Sequence, residues 1–252
     1  MRLWNFPLLV FVVSVVVLSL SARAGDILRN KLRPLQPEER VDFGIVLGAI
    51  LTLLGLLIGF TFSMATSRYD QRKNYEEAEA NAIGTEYVRA DLLPAEDRAR
   101  SRELLRKYTD ERILFYTASN PQVLTKINAD TAELQSEMWS AARPKEGAPV
   151  NPMVALAVSG MNDVLNSQGY TQAAWSNRIP TAAWVLMAVV AIGCNLLIGY
   201  IAHRTNRRLF LIAPLAVSIS FFLIADIDSP RGGVIRLAPE NLLSLSQSLQ
   251  AH

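Results

Sequence analysis

Four long apolar segments interrupt an otherwise polar chain and predict four membrane-spanning helices. These segments lie at about 6–22, 43–65, 181–202 and 209–225. The second and third contain no charged residue. A helix rises about 1.5 Å per residue, so each of these two is long enough to cross a hydrocarbon core of about 30 Å. We therefore predict an all-α integral membrane protein with four transmembrane helices.

The first apolar segment has two interpretations. Arg2, the apolar stretch and then Ala22-Arg23-Ala24 fit a signal peptide with a small-residue cleavage site over residues 1–24. The same residues fit a short retained span, which we favour. Both interpretations place the long polar segment after the second span inside the cell. Lys and Arg near the membrane are balanced between the two sides, so the positive-inside rule does not decide the orientation.

Residues 66–180 lie between the second and third spans and predict a helical extramembrane lobe. They are rich in helix-forming residues, and prolines divide them into predicted helices at 95–118, 122–142 and 153–178. No proline occurs between Phe43 and Leu93, so the second span is predicted to continue into the lobe as one helix.

Two shorter features complete the predicted layout. The basic turn from His203 to Arg208 predicts an antiparallel hairpin of the third and fourth spans. Pro180 is predicted to bend the chain before the third span, and a short C-terminal helix is predicted to begin at Pro239.

Composition excludes several classes of function. The net charge is +2, and no Lys/Arg block with interleaved aromatic residues appears, so we expect no nucleic-acid partner. One cysteine, Cys194, excludes an internal disulfide and is predicted to be a small buried apolar residue. With only His203 and His252 as histidines, and no catalytic constellation, we expect no metal, no cofactor and no enzyme activity.

Acidic residues occur in two groups, and each has a structural interpretation. Glu76, Glu77, Glu79 and Glu86 are predicted to form a solvated helix face, with i,i+4 pairs to Arg72 and Lys73. Asp226 and Asp228, beside Ser229, could contribute to a cation site. Because calcium takes six to eight oxygen ligands, we favour a turn cap at the membrane edge.

The second helix carries the most informative pattern. Steps of three and four residues connect Thr52, Leu56, Phe60, Ser63, Ser67, Asp70, Asn74, Glu77 and Asn81. This face changes from a narrow apolar rim to a polar strip, as expected of a helix that lines a water-filled path with a hydrophobic constriction. The alternative is that these hydroxyl groups bond their own backbone or hold helices together.

A second pattern lies in the third span. Ala188, Ala191, Asn195 and Gly199 form a stripe of small residues. It predicts close helix packing, with an interhelical hydrogen bond from Asn195.

The run Gly59-Phe-Thr-Phe-Ser-Met-Ala-Thr-Ser-Arg68-Tyr69-Asp70 resembles the second membrane helix of bestrophins, in which an Arg-aromatic pair follows a Gly-Phe pair. Further matches resemble a bacterial bestrophin-like family of unknown function. The residues that carry the likeness are Gly59, Arg68, Tyr69, Glu79, Asn81, Gly84, Pro230 and Gly232. Thr52 departs from the family, which has a large apolar residue there, and the acidic calcium clasp after the fourth span has no equivalent.

The resemblance implies a single bestrophin-like domain over residues 1–252, in a multi-pass protein of the cell inner membrane with a cytoplasmic lobe. Bestrophins are pentameric anion channels, so the expected partners are membrane lipid, small ions and further copies of the chain. Leu56 and Phe60 would form the constriction, and Thr52, Ser63, Ser67, Asn74 and Asn81 would line the path. The alternative is a non-conducting helical scaffold or sensor that binds a protein or lipid through residues 66–180.

Overall fold

The computed structural model describes residues 6–31, 35–144, 151–201 and 209–251, and none of these lies in a strand. The helices are α1 (Pro7–Lys31), α2 (Pro37–Arg89), α3 (Ala95–Thr117), α4 (Pro121–Ala142), α5 (Pro152–Ser176), α6 (Thr181–Ile201), α7 (Leu209–Asp228) and α8 (Glu240–Gln250). A 3-10 turn, Ala90–Leu92, follows α2. The predicted turn from His203 to Arg208 lies outside the described residues.

Four of the described helical stretches are long and apolar enough to cross a membrane, and each overlaps one of the four predicted spans. The chain is thus an all-α, multi-pass membrane protein. The lobe helices begin and end within two residues of their predicted positions. The chain leaves the helical conformation between Ser176 and Thr181, as predicted for a bend at Pro180. The predicted C-terminal helix is also present, as α8.

Helix α2 runs without a break for 53 residues, which confirms the predicted continuity past Thr66. Pro37 occupies the first helical position, where its missing N–H has no cost. The Glu39 carboxylate accepts a hydrogen bond from the backbone N–H of Gln36 at 2.9 Å and so caps the first turn. Helix α2 ends close to Pro94, because the residue before a proline is driven out of the helical conformation.

The chain divides into two compact units. The membrane unit comprises residues 1–69 and 178–236, and the lobe comprises residues 70–177 and 237–252. The predicted lobe boundaries, 66 and 180, are close to these. What the sequence did not indicate is that α8 belongs to the lobe, where it packs against α3.

Small residues allow close packing between α1 and α6 in the membrane unit, as the stripe predicted. A Cβ at Gly199 would collide with the carbonyl oxygen of Ala22, and one at Gly25 with that of Leu196. Cys194 is completely buried in this unit, as predicted.

The predicted interhelical hydrogen bond from Asn195 was wrong. Its side-chain amide donates to the carbonyl of Ala191, one turn earlier on the same helix, at 2.8 Å. The Asn195 side-chain oxygen is buried and has no partner among the described residues. The packing therefore depends on the glycines and on shape, because the polar side chain satisfies its own backbone.

The two aspartates at the C-terminal end of α7 cap a turn. The Asp226 carboxylate accepts hydrogen bonds from the backbone N–H groups of Val234 at 2.7 Å and Ile235 at 2.8 Å. The Asp228 carboxylate accepts a hydrogen bond from the Ile179 N–H at 3.3 Å. Both carboxylates are thus occupied by backbone donors, which confirms the turn-cap interpretation.

The predicted solvated face of α2 was wrong for three of its four glutamates. Glu76, Glu79 and Glu86 are buried, and so is Arg72, whereas Glu77 is exposed. Periodicity alone could not show this, because charged side chains are rarely buried unless they find partners elsewhere in the fold. For Glu76 and Glu79, those partners come from α3, α5 and α8.

Glu76 holds the first turn of α8. Its carboxylate accepts hydrogen bonds from the backbone N–H of Leu242 at 2.9 Å and from the side-chain amide of Asn241 at 2.6 Å. The Leu242 N–H is one of the first groups of the helix, which have no partner within it. A negative charge is also favourable at a helix N-terminus. The contact explains why the C-terminal helix packs in the lobe.

Glu79 is the centre of a buried polar network. Its carboxylate forms an ion pair with Arg112 of α3 and accepts hydrogen bonds from Tyr116 at 3.1 Å and Thr171 at 3.0 Å. Both members of the ion pair are completely buried. The Arg112 guanidinium also stacks 4.4 Å from the ring centre of Phe115. One carboxylate therefore connects α2, α3 and α5.

Replacing Glu79 with Ala should destabilise the protein by about 3–5 kcal/mol, because the Arg112 charge would be left buried without its partner. Glu77→Ala, on the exposed side of the same helix, is the matched control and should change stability by less than about 0.5 kcal/mol. Denaturant unfolding of the detergent-solubilised protein gives both values. Equal losses for the two variants would show that the network does not stabilise the lobe.

Candidate functional site

The predicted pore-lining residues of α2 in the membrane unit are all exposed in the single chain. They are Thr52, Leu56, Phe60, Ser63 and Ser67. Leu56 and Phe60 are the most informative, with exposed fractions of 53% and 65%. Large apolar side chains at this depth contact either lipid or another copy of the chain.

The packed side of α2 faces away from these residues. Leu54, Thr61 and Ala65 are buried against the rest of the membrane unit. At about 100° per residue, these three lie about 140–180° around the helix from Leu56 and about 100–140° from Phe60. The membrane unit therefore covers one side of α2 and leaves the predicted pore face open.

The hydroxyl groups of α2 divide into two classes. Thr52, Thr61 and Thr66 donate to the carbonyls four residues earlier, at 2.7–3.1 Å. Ser63 and Ser67 form no hydrogen bond within the described part of the chain. For Thr52 the structure supports the alternative in which the hydroxyl satisfies its own backbone. Both serines are exposed.

In the lobe, the remaining strip residues are also exposed. Asp70, Asn74, Glu77 and Asn81 are accessible. The buried residues of α2 in the lobe lie on the other side of the helix, as shown by Arg72 and Glu79. Exposure agrees with the predicted strip in both units, and the role of these side chains in a pore stays a prediction.

A row of glycines borders the predicted pore face, and the sequence analysis missed it. Gly44, Gly48, Gly55 and Gly59 lie along one side of α2, and a Cβ at any of them would meet no atom within 4 Å. Each glycine costs about 1 kcal/mol relative to Ala in a helix interior, and the single chain gives no compensating contact. The Gly-x-x-x-Gly spacing, which occurs twice, is the signal that would have revealed this row.

The other residues of the family motif have mixed positions. Glu79 is the centre of the buried network described above. Gly84 lies against Leu245 of α8, whose side chain would be 3.1 Å from an added Cβ. The backbone N–H of Gly232 donates to the Ser229 hydroxyl at 3.1 Å in the turn after α7. These three positions support the fold, whereas Gly59 lies on the open side of α2.

Glu86, in the lobe part of α2, is a buried carboxyl group without a hydrogen-bond partner among the described residues. It packs directly against Gly160 of α5, where any side chain would collide with it. Burial raises its pKa from the ordinary 4.5 to about 8; Arg89 opposes this shift and Asp163 adds to it. Glu86 is therefore protonated and neutral at pH 7.

Metal chemistry has no support in the described residues. Within 6–31, 35–144, 151–201 and 209–251, no three side chains of His, Cys, Asp or Glu converge on a point where they could hold a metal ion.

The protonated state of Glu86 makes stability pH-dependent. Between pH 4.5 and 8 the folded state keeps this proton and the unfolded state loses it. The free energy of unfolding should thus decrease by up to about 1.4 kcal/mol per pH unit in this window and level off above it. Glu86→Gln cannot titrate, so its stability should lose this slope, whereas exposed Glu77→Gln should keep it. Parallel pH profiles for wild type and Glu86→Gln would contradict a neutral Glu86.

Known proteins of similar fold were found among solved structures. Two variants of a bacterial bestrophin homologue from Klebsiella pneumoniae each share 14% identity with the chain. The first has a TM-score of 0.64, with 96% of this chain and 98% of that chain covered. The second has a TM-score of 0.65, with 97% of each chain covered. At this identity the likeness shows a shared fold. No curated protein sequence matches the chain.

The family follows from the sequence profile of the Bestrophin-like domain, which matches residues 16–242. This range contains the predicted second, third and fourth spans, residues 66–180 and the turn with Pro230 and Gly232. The resemblance inferred from the motif around Phe60 and Arg68 is thereby confirmed. The chain belongs to the Bestrophin-like family.

Proposed function

We propose that several copies of the chain assemble around α2 and enclose a passive path for small ions, with Leu56 and Phe60 as its constriction. The observation that carries this proposal is the open side of α2. An apolar rim followed by polar side chains faces away from the packed side of the protomer. A helix that only anchored a lobe in lipid would need no polar strip in line with its membrane segment.

The glycine row supports assembly through the same helix. Gly44, Gly48, Gly55 and Gly59 leave an open surface on which the backbone of another helix can pack closely. In a ring, an α2 helix of one copy packs against its neighbour through the side next to the pore face. The row has this position relative to Leu56, from which its four glycines lie about 60–120° around the helix. A pentamer is the expected number of copies by analogy with bestrophins.

The constriction would gate by excluding water. Rings of Leu56 and Phe60 would pack against their symmetry mates, and an apolar ring narrow enough to lose its water blocks hydrated ions until it widens. Ser63 and Ser67 would then supply hydrogen bonds to the water column next to it.

Charge along the strip sets the ion preference. Asp70 and Glu77 are exposed, and their negative charges would repel an anion. Lys73 is also exposed, and its positive charge would partly offset this repulsion. Arg72 was a further candidate to offset these carboxylates, but it is buried in the lobe, where its Nε donates to the carbonyl of Ala174 at 3.4 Å. Family analogy favours anions, so the reversal potential in asymmetric chloride solutions decides between the two signs.

Phe60→Ala should raise the single-channel conductance of purified protein in planar bilayers, because it removes the largest side chains of the constriction. Leu56→Ala should act in the same direction. Leu186→Ala is the matched control, since Leu186 is exposed to a similar degree as Leu56 but lies on α6, away from the proposed constriction. If wild type and both pore variants are silent across voltage and salt conditions, a non-conducting scaffold that binds a partner through the lobe replaces this proposal.

We further propose that the protein lies in the inner membrane with a cytoplasmic lobe. Ser136 of α4 is exposed, whereas the native Cys194 is fully buried in the membrane unit. In intact cells, Ser136→Cys should resist an impermeant thiol reagent and should react once the membrane is permeabilised. The wild-type protein, which has only Cys194, is the control for background. Labelling of Ser136→Cys from outside would reverse the topology.

A further inference from the structure

Three arginines converge at the C-terminal end of α2 in the lobe. Arg98, Arg102 and Arg106 follow one another at intervals of four residues on α3 and therefore lie on the same face of that helix. The guanidinium carbons of Arg102 and Arg106 lie 4.8 and 5.4 Å from the ring centre of Tyr87. We call these three residues the arginine cluster.

The cluster has too few negative charges to balance it. Asp91 is its one acidic partner among the described residues, with an oxygen 3.0 Å from Arg102 and 3.6 Å from Arg98. Arg106 has no acidic partner in the same set; it donates to the neutral hydroxyl of Tyr87 at 2.6 Å. The three arginines thus have one acidic partner between them.

Acidic residues close to Arg106 on α3 are engaged elsewhere. Glu103 forms an ion pair with Lys107 at 2.7 Å. Asp110 accepts a hydrogen bond from Ser246 of α8 at 3.0 Å. Arg106 therefore contacts Tyr87, although carboxylates lie three and four residues away on its own helix.

A purely structural role explains part of this arrangement. Arg102 donates to the carbonyl of Tyr87, and Arg98 to that of Asp91, each at 3.4 Å. These long hydrogen bonds satisfy backbone groups at the end of α2, where cations are favoured. They do not explain why a third arginine joins two others. Like charges four residues apart on a helix repel one another.

We propose that the arginine cluster binds a phosphate-bearing anion. A guanidinium presents several N–H donors in a plane that matches phosphate oxygens, and such charge-assisted hydrogen bonds are among the strongest in proteins. The Arg98 and Arg102 side chains are 42% and 32% exposed, so the site is accessible yet partly shielded from water. The bound anion balances the charge that Asp91 leaves uncompensated. This site is independent of ion conduction through α2.

The test is thermal unfolding of the full-length protein in detergent, titrated with sodium pyrophosphate against sodium chloride of equal ionic strength. At pyrophosphate about tenfold above its dissociation constant, Tm should rise by about 3 °C relative to chloride. Arg106→Gln should abolish the shift. Arg106→Lys keeps the positive charge but loses the planar set of guanidinium donors, so it should reduce the Tm shift. This variant provides a test even if Arg106→Gln does not fold.

Arg100→Gln is the matched control. Arg100 is exposed on α3 and lies about 200° around the helix from Arg98, so this variant removes the same charge outside the cluster. Its Tm shift should equal that of the wild type. Equal shifts in Arg100→Gln, Arg106→Gln and Arg106→Lys would overturn the proposal, since the effect would then depend on overall charge.

A second arm identifies the source of the phosphate. The protein is placed in lipid nanodiscs with or without a lipid that carries a phosphate monoester headgroup. A Tm shift with soluble pyrophosphate supports the cluster as a site for a soluble phosphate compound. A shift that appears only with the phosphate-monoester lipid, and is lost in Arg106→Gln and reduced in Arg106→Lys, supports a lipid headgroup. No shift of the wild type in either arm overturns the proposal.

Discussion

A backbone that crosses a bilayer has no water with which to form hydrogen bonds, and this constraint governs α2 and the rest of the chain. Within the hydrocarbon core, the helix is the way for one segment to satisfy its own N–H and C=O groups. Helix α2 keeps this conformation for 53 residues, well beyond the length needed to cross the membrane. Its sequence must therefore provide one side that packs against other helices and one open side, both in the lipid of the membrane and in the water around the lobe.

In the lobe, the packed side of α2 is stabilised by charges that other helices neutralise. Glu76 caps α8 and Glu79 pairs with Arg112, so two carboxylates of one helix connect it to the C-terminal helix and to α3. The free-energy cost of burying each carboxylate is offset because it accepts several hydrogen bonds. Glu86 lacks such partners and stays neutral by keeping its proton. Helix α2 thus buries its carboxyl groups in two ways, by hydrogen bonds to other helices and by keeping a proton.

In the membrane unit, the open side of α2 is the feature that the single chain does not explain. Phe60 is among the most exposed apolar residues, and a Cβ added at Gly48 or Gly55 would meet no atom of another helix within 4 Å. Exposed apolar groups are compatible with lipid, but glycines weaken a helix unless something packs closely against them. Assembly through α2 gives both features a purpose, and the arginine cluster shows that the lobe has unbalanced charge of its own.

The sequence by itself determined the class of protein, the four spans and the helices of the lobe. Long uncharged segments, prolines at element boundaries and the absence of breakers from Phe43 to Leu93 are local signals, and they suffice for elements whose hydrogen bonds are local. The motif around Phe60 and Arg68 also identified the family.

Tertiary structure decided which charges are buried. Glu76 and Glu77 are adjacent glutamates with the same chemistry. Glu76 is buried where it caps α8, which lies more than 160 residues later in the chain, whereas Glu77 is exposed to solvent. Likewise, the Asn195 side-chain amide donates to its own helix, and no described residue of another helix donates to its side-chain oxygen. Such outcomes depend on which distant segments meet, and that information is not contained in periodicity.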